Sequence, residues 1–97
     1  MSHDLTPTDV CERLIGPPET IAAIAQVAAK APYNWRRLGA RFRLAGDLPS
    51  AVTMRRLLEH SDRHQLGLTA DHLIRGASEA EVAAIEAARP MPQVAAE

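Results

Sequence analysis

One cysteine, one tryptophan, one tyrosine and one phenylalanine are all that this chain of 97 residues holds of those types. A single thiol excludes an internal disulfide and gives no sign of an oxidising compartment. With so few rings, the apolar share of 46 % rests on Ala, Leu, Ile and Val, side chains that favour helices in close contact. No apolar run approaches membrane-spanning length, and Met1 to Asp4 do not form a basic region ahead of an apolar stretch. The expectation is a cytoplasmic protein with no membrane partner.

The length suits one small domain, because a shorter core buries too small a fraction of its surface to be divided. The fold class expected is all-α, a compact five- to six-helix domain over residues 6–89. Residues 1–5 are expected to be a flexible N-terminus and 90–97, with Pro90 and Pro92 and no periodicity, a disordered tail. The formal net charge of −1 excludes a protein that coats nucleic acid by bulk electrostatics. Its distribution is uneven: eight of the eleven Lys and Arg residues fall between positions 30 and 63, against three carboxylates, and both ends of the chain are acidic.

Local signals divide the chain into helices. Thr6 is a helix N-cap ahead of Pro7 and Asp9, and Val10, Leu14 and Ile15 share a face up to Gly16. Pro17 and Pro18 permit a new helix over about 18–25, with Ile21, Ile24 and Ala25 on one side. "APYNWRR" is a helix whose Ala31, Pro32 and Trp35 turn inward while Lys30, Tyr33, Asn34 and Arg37 turn outward. "LGARFRLAGDLP", with Gly39, Gly46 and Pro49, reads as a connecting arm. The clearest helix follows, entered at Asp47 or Leu48, with Ala51, Met54, Leu57, Leu58 and Ser61 on its inner face and Gly67 as its stop. Thr69 caps "ADHLIR", which Gly76 ends. Ser78 and Glu81 have the spacing of a capping box at the start of a last helix, which Pro90 terminates.

The stretch Lys30 to Arg43, "KAPYNWRRLGARFR", has five basic residues, no acidic one and all three aromatics. Two short helices with a turn between them, the second carrying a basic and amide-bearing face, meet the physical demands of a helix-turn-helix. The recognition helix is then near 29–37. Asn34 can read adenine through its amide, Arg36 or Arg37 can reach guanine or a phosphate, Lys30 and Arg41 suit the backbone, and Arg43 belongs to the same basic set. With Tyr33, these seven residues are the candidate DNA-binding set.

"LIGPPETIAAIAQVAAKAPYNWRR" also resembles the Cro/CI-like helix-turn-helix regulators of phage and prophage, especially the YdaS-like small regulators. Gly16-Pro17 matches the start of the family pattern, Ala22 its small helix-contact residue, Val27 its apolar turn residue and Trp35-Arg36-Arg37 its closing signature. "DLPSAVTMRRLLEHSDRHQLGLTADHLIRG" resembles the downstream part, and the two cover roughly residues 10–76. Three features depart from the pattern: Gln26 stands at the turn glycine, Pro32 at a β-branched core position, and the 38–48 arm is longer than usual. The resemblance implies a sequence-specific transcriptional regulator that binds double-stranded DNA as a homodimer, with the helices after Pro49 as the dimer face.

The remaining constellations read as structural. Trp35 and Cys11 are expected in the core, and Phe42 as a lid over it. His60 and His64 have the spacing of two metal ligands but no accompanying Cys or carboxylate set, so no metal and no cofactor is expected. No triad, phosphate-cradling glycine loop or carboxylate pair is present, and the chain is expected not to be an enzyme. The alternative to DNA binding is a protein-interaction module whose basic face docks an acidic partner, such as a second regulator or an RNA polymerase component.

Overall fold

A computed structural model describes residues 4–37, 39–40 and 43–89. The protein is all-α, with six helices among the described residues, in chain order α1 Pro7–Leu14, α2 Pro18–Ala25, α3 Ala31–Arg37, α4 Ala51–His64, α5 Ala70–Arg75 and α6 Glu79–Ala88. Among the described residues there is no strand, only two isolated backbone bridges, Leu5 with Ala77 and Ala40 with Arg43. The expected tail 90–97 lies outside the described residues. Of the N-terminal stretch 1–5, the described part is tied into the fold, because Leu5 exchanges both backbone hydrogen bonds with Ala77 at 2.9 and 3.1 Å.

Local chemistry starts each helix. Thr6 Oγ1 accepts from the Asp9 amide and Asp9 Oδ2 accepts from the Thr6 amide, a full capping box on α1. Pro18 opens α2 at a position where no amide donor is needed. Ser50, rather than Asp47 or Leu48, caps α4 by accepting from the Thr53 amide, since its hydroxyl can reach an orphan N–H that a residue before Pro49 cannot. Ser78 accepts from the Glu81 amide, but the Glu81 carboxylate does not close the box; it lies 3.0 Å from Nε2 of buried His72. His72 Nδ1 already accepts from the Thr69 amide, so Nε2 carries the proton and donates to Glu81. One histidine thereby caps α5 and ties it to α6.

The helix ends depend on two glutamines. Gln26 closes α2 at φ +62° and Gln65 closes α4 at φ +55°, both left-handed. Gly67 was the expected stop for α4, but the left-handed turn comes two residues earlier, where the Gln65 amide bonds the Ser61 carbonyl. Gly67 serves packing instead, because a Cβ there would strike Ile85 of α6.

The core joins Val10, Cys11 and Leu14 of α1, Ile21 and Ala25 of α2, Trp35 of α3 and Leu57 of α4 to Leu48, Leu68, Leu73, Ala77 and Val82. Cys11 and Trp35 are buried as expected, and burial pushes the Cys11 thiol up to about 12, so it packs as an apolar group rather than serving as a nucleophile. On α4 the inner face is rotated slightly from the expected one: Ala51 is exposed and Thr53 is buried, alongside Leu57 and Ser61. Arg89, just past α6, donates to the carbonyls of Leu14 and Leu66 and fastens the last helix to the ends of α1 and α4.

Glycine and glutamine substitutions separate the two kinds of backbone constraint. Gly76 has φ +82° and ψ −156°, a region essentially reserved for glycine, and a Cβ there would run into the Leu5 carbonyl. Gly76→Ala is expected to lower unfolding stability by about 2 kcal/mol or more. Gln26→Gly, which relieves a left-handed non-glycine residue, is expected to raise it by up to about 1 kcal/mol. Urea midpoints at constant slope measure both; equal signs for the two variants would contradict this account.

Candidate nucleic-acid interface

The basic face is built around Trp35, whose side chain is only 5 % exposed. Pro32 and Trp35 lie one turn apart on α3 and both point into the core beside α1 and α2. Pro32 sits in the first turn, where amide donors have no helical acceptor, so its missing N–H costs the helix nothing. This accommodates the proline that stands at a β-branched position of the resembled pattern. The turn residue Gln26 likewise adopts the left-handed conformation that a glycine would supply, and the Val27 amide bonds back to Ala22 O at 3.0 Å.

With Pro32 and Trp35 inward, Lys30, Tyr33, Asn34, Arg36 and Arg37 are all exposed, but they divide into two groups. Tyr33 donates its hydroxyl to Glu19 of α2 at 2.5 Å. Arg36 donates to Glu12 of α1, and its Nε lies 3.7 Å from Asp9. These two side chains lean toward an acidic flank. Lys30, Asn34 and Arg37, at i, i+4 and i+7, form a strip on the other side and make no side-chain hydrogen bond or ion pair among the described residues.

Arg43 has a different place. Its Nη1 donates to the Trp35 and Asp47 carbonyls at 3.2 and 3.0 Å, so it holds the end of α3 against the arm rather than standing out as a backbone contact. Arg41 and Phe42 lie outside the described residues, and with them the expected lid. The sequence did not reveal Asp9, Glu12 and Glu19 as partners of the site. Their helical spacing in two separate elements carries no signal that α1 and α2 would both lie against α3.

Electrostatics mark Glu12 as the most constrained member of the flank. Burial raises its carboxyl above the ordinary value, with Arg36 opposing and Asp9 and Glu19 adding to the shift. Oε2 is buried without a hydrogen-bond partner among the described residues, so the ion pair satisfies only half the carboxylate. The hydrogen bond from Tyr33 instead holds Glu19 below its usual range and raises the phenol.

No protein-family model, curated protein or solved structure matches this chain. The geometry of α3 and its neighbours therefore carries the functional reading by itself. No helix among the described residues is long and apolar enough to cross a membrane, and no group of three or more His, Cys, Asp or Glu side chains there is arranged to hold a metal ion. The His60 and His64 rings lie 4.4 Å apart, tilted against each other.

The raised Glu12 carboxyl has a consequence for stability. A folded-state value above the unfolded one means that the fold prefers the neutral acid: that contribution is full at low pH and is lost as pH rises through the titration of Glu12. Glu12→Gln is expected to be at least as stable as the parent at pH 7, with the difference shrinking as pH falls through the raised titration of Glu12 and gone below about pH 4. Urea unfolding across pH measures this. A loss above about 1 kcal/mol at pH 7 would instead make the Arg36 ion pair the dominant effect.

Proposed function

We propose that this chain is a sequence-specific, double-stranded DNA-binding transcriptional regulator of the Cro/CI-like kind. In this reading α2, the segment 26–30 and α3 form a helix-turn-helix, and the strip Lys30, Asn34 and Arg37 faces the major groove. The observation that carries it is the partition of this unit. Ile21, Ala22, Ala25, Pro32 and Trp35 are buried, Gln26 is left-handed at the turn, and one unpaired strip with an amide and two cations is left on the outer face.

Each side chain has a distinct task in this reading. Asn34 accepts from adenine N6 through Oδ1 and donates to N7 through Nδ2, Arg37 reaches a guanine or a phosphate, and Lys30 neutralises a phosphate. Arg41 stays a backbone candidate from its sequence alone. Arg36 and Tyr33 engage DNA only by leaving Glu12 and Glu19. Arg43 positions the end of α3.

A helix of 7 residues meets too few bases for strong specificity, so the regulator acts as a homodimer on half-sites about 34 Å apart. It does so in the cytoplasm, without a cofactor and without catalysis.

The second reading is a docking module for another regulator or an RNA polymerase component. The acidic flank of Asp9, Glu12 and Glu19 favours it, because a surface with both signs side by side suits a partner protein of complementary charge better than a uniformly anionic duplex.

Selection from random duplex DNA at two salt concentrations separates the two. The regulator reading expects an enriched two-fold-symmetric motif. Asn34→Ala then relaxes one position by about 1–3 kcal/mol, and Lys30→Ala weakens all sequences alike while reducing the log–log salt slope by about 0.9 per contact. Glu12→Gln, by releasing Arg36, is expected to tighten binding by a factor of about 2 to 5. Feeble binding with no enriched motif would sink sequence-specific recognition and leave the docking module.

A further inference from the structure

Outside the α3 strip, α2 and α4 enclose a second polar feature. A cleft of about 320 Å³ is lined by Ile24, Gln26, Arg56, Glu59, His60 and Arg63. Apart from Ile24, every one of these side chains is polar or charged. Arg56 is preorganised, because one guanidinium nitrogen donates to the Ala25 carbonyl at 2.8 Å, the open end of α2, while its other N–H groups make no hydrogen bond to a described residue. Arg63 and Glu59 make no hydrogen bond or ion pair within the described residues, although both line the same cleft. Burial, then His64 and Arg63, hold His60 below the usual imidazole value, so at neutral pH it offers one N–H and one lone pair.

Two guanidiniums facing a shared space suit the oxygens of a tetrahedral anion. Glu59 imposes a further condition. Beside a fully ionised anion its carboxylate is repulsive, whereas beside a P–O–H group it accepts a charge-assisted hydrogen bond. Inorganic phosphate at neutral pH always retains such a proton, and a phosphomonoester does so in part, its second ionisation lying near about 6. Sulfate, with the same shape and charge, has none to give.

We propose that the cleft between α2 and α4 binds a protonated phosphate group, either inorganic phosphate or the monoester of a small molecule, with Arg56 and Arg63 on its oxygens and Glu59 on its proton. The cleft shares no residue with the α3 strip. It touches the α2–α3 turn directly, since Gln26 lines the cleft and Arg56 holds the carbonyl just before it.

The test is a titration of the full chain at pH 7 with sodium phosphate, sulfate and chloride at matched ionic strength and without DNA, read by NMR at the His60 ring and the Gln26 amide. The expected result is saturable shifts at both with phosphate, sulfate weaker by about tenfold or more, and a rise of the His60 pKa in phosphate. Arg63→Gln, a change at an exposed and unpaired residue, is expected to weaken phosphate by about tenfold. Glu59→Gln is expected to bring sulfate within about threefold of phosphate. Unchanged amide spectra elsewhere show that both variants are folded. Glycerol phosphate, titrated in parallel, assigns the occupant: tighter binding than phosphate indicates a monoester, and equal or weaker binding indicates free phosphate. Equal response to phosphate and sulfate, or a phosphate response that Arg63→Gln leaves intact, overturns the proposal.

Discussion

Gly46 is the junction on which the orientation of α3 depends. Its amide donates to the Trp35 carbonyl at 2.5 Å, and its own carbonyl accepts from both the amide and the hydroxyl of Thr8 at 3.0 and 2.8 Å. One residue of the arm thus joins the last turn of α3 to the first turn of α1, and Arg43 adds a second donor to the Trp35 carbonyl. Close approach requires glycine here. Its φ is +95°, and a Cβ would stand 2.5 Å from that of Thr6. The long arm that departs from the resembled family pattern is therefore structural over its described part: it clamps α3 against α1.

That clamp decides the electrostatics of the outer surface. Because α1 lies alongside α3, Asp9 and Glu12 meet Arg36, and because α2 crosses nearby, Glu19 meets Tyr33. What reads in sequence as a uniformly basic helix has one neutralised side and one free side. The free side is narrower than the charge count implies, with Lys30, Asn34 and Arg37 only, and a narrow strip suits reading a few positions more than binding any polyanion. On the proposed DNA-binding reading, the acidic flank adds repulsion against a misplaced phosphate backbone, a discriminating contribution rather than a gain in affinity.

The segment between α2 and α3 is held from both directions. Ala22 O accepts the Val27 amide from within, and Arg56 of α4 satisfies Ala25 O from outside. A left-handed glutamine at such a place is tolerable because α4 packs against α2 and fixes the end of the helix that Gln26 closes. The polar cleft beside it is the price of bringing a basic helix face against a helix end, where exposed carbonyls attract guanidinium groups.

Much of the fold was legible from short-range chemistry. The caps at Thr6, Thr69 and Ser78, the prolines at helix starts and the inward spacing of Pro32 and Trp35 act within four residues, so composition and order suffice to place them. The left-handed Gln26 and Gln65 were less visible, since glutamine has no local preference for that conformation and packing has to impose it. Which basic residues remain free was not visible at all: Arg36 finds its partner 24 positions away, Arg56 31 away, and Arg89 75 away at Leu14. Helix propensity and periodicity therefore placed the helices and the buried sides of α1 to α3, while only the tertiary structure turned the inner face of α4 toward Thr53 and left Lys30, Asn34 and Arg37 unpaired beside α3 among the described residues. Pairing of charges depends on which helices become neighbours, and that follows from the shapes of the buried faces rather than from the charges themselves.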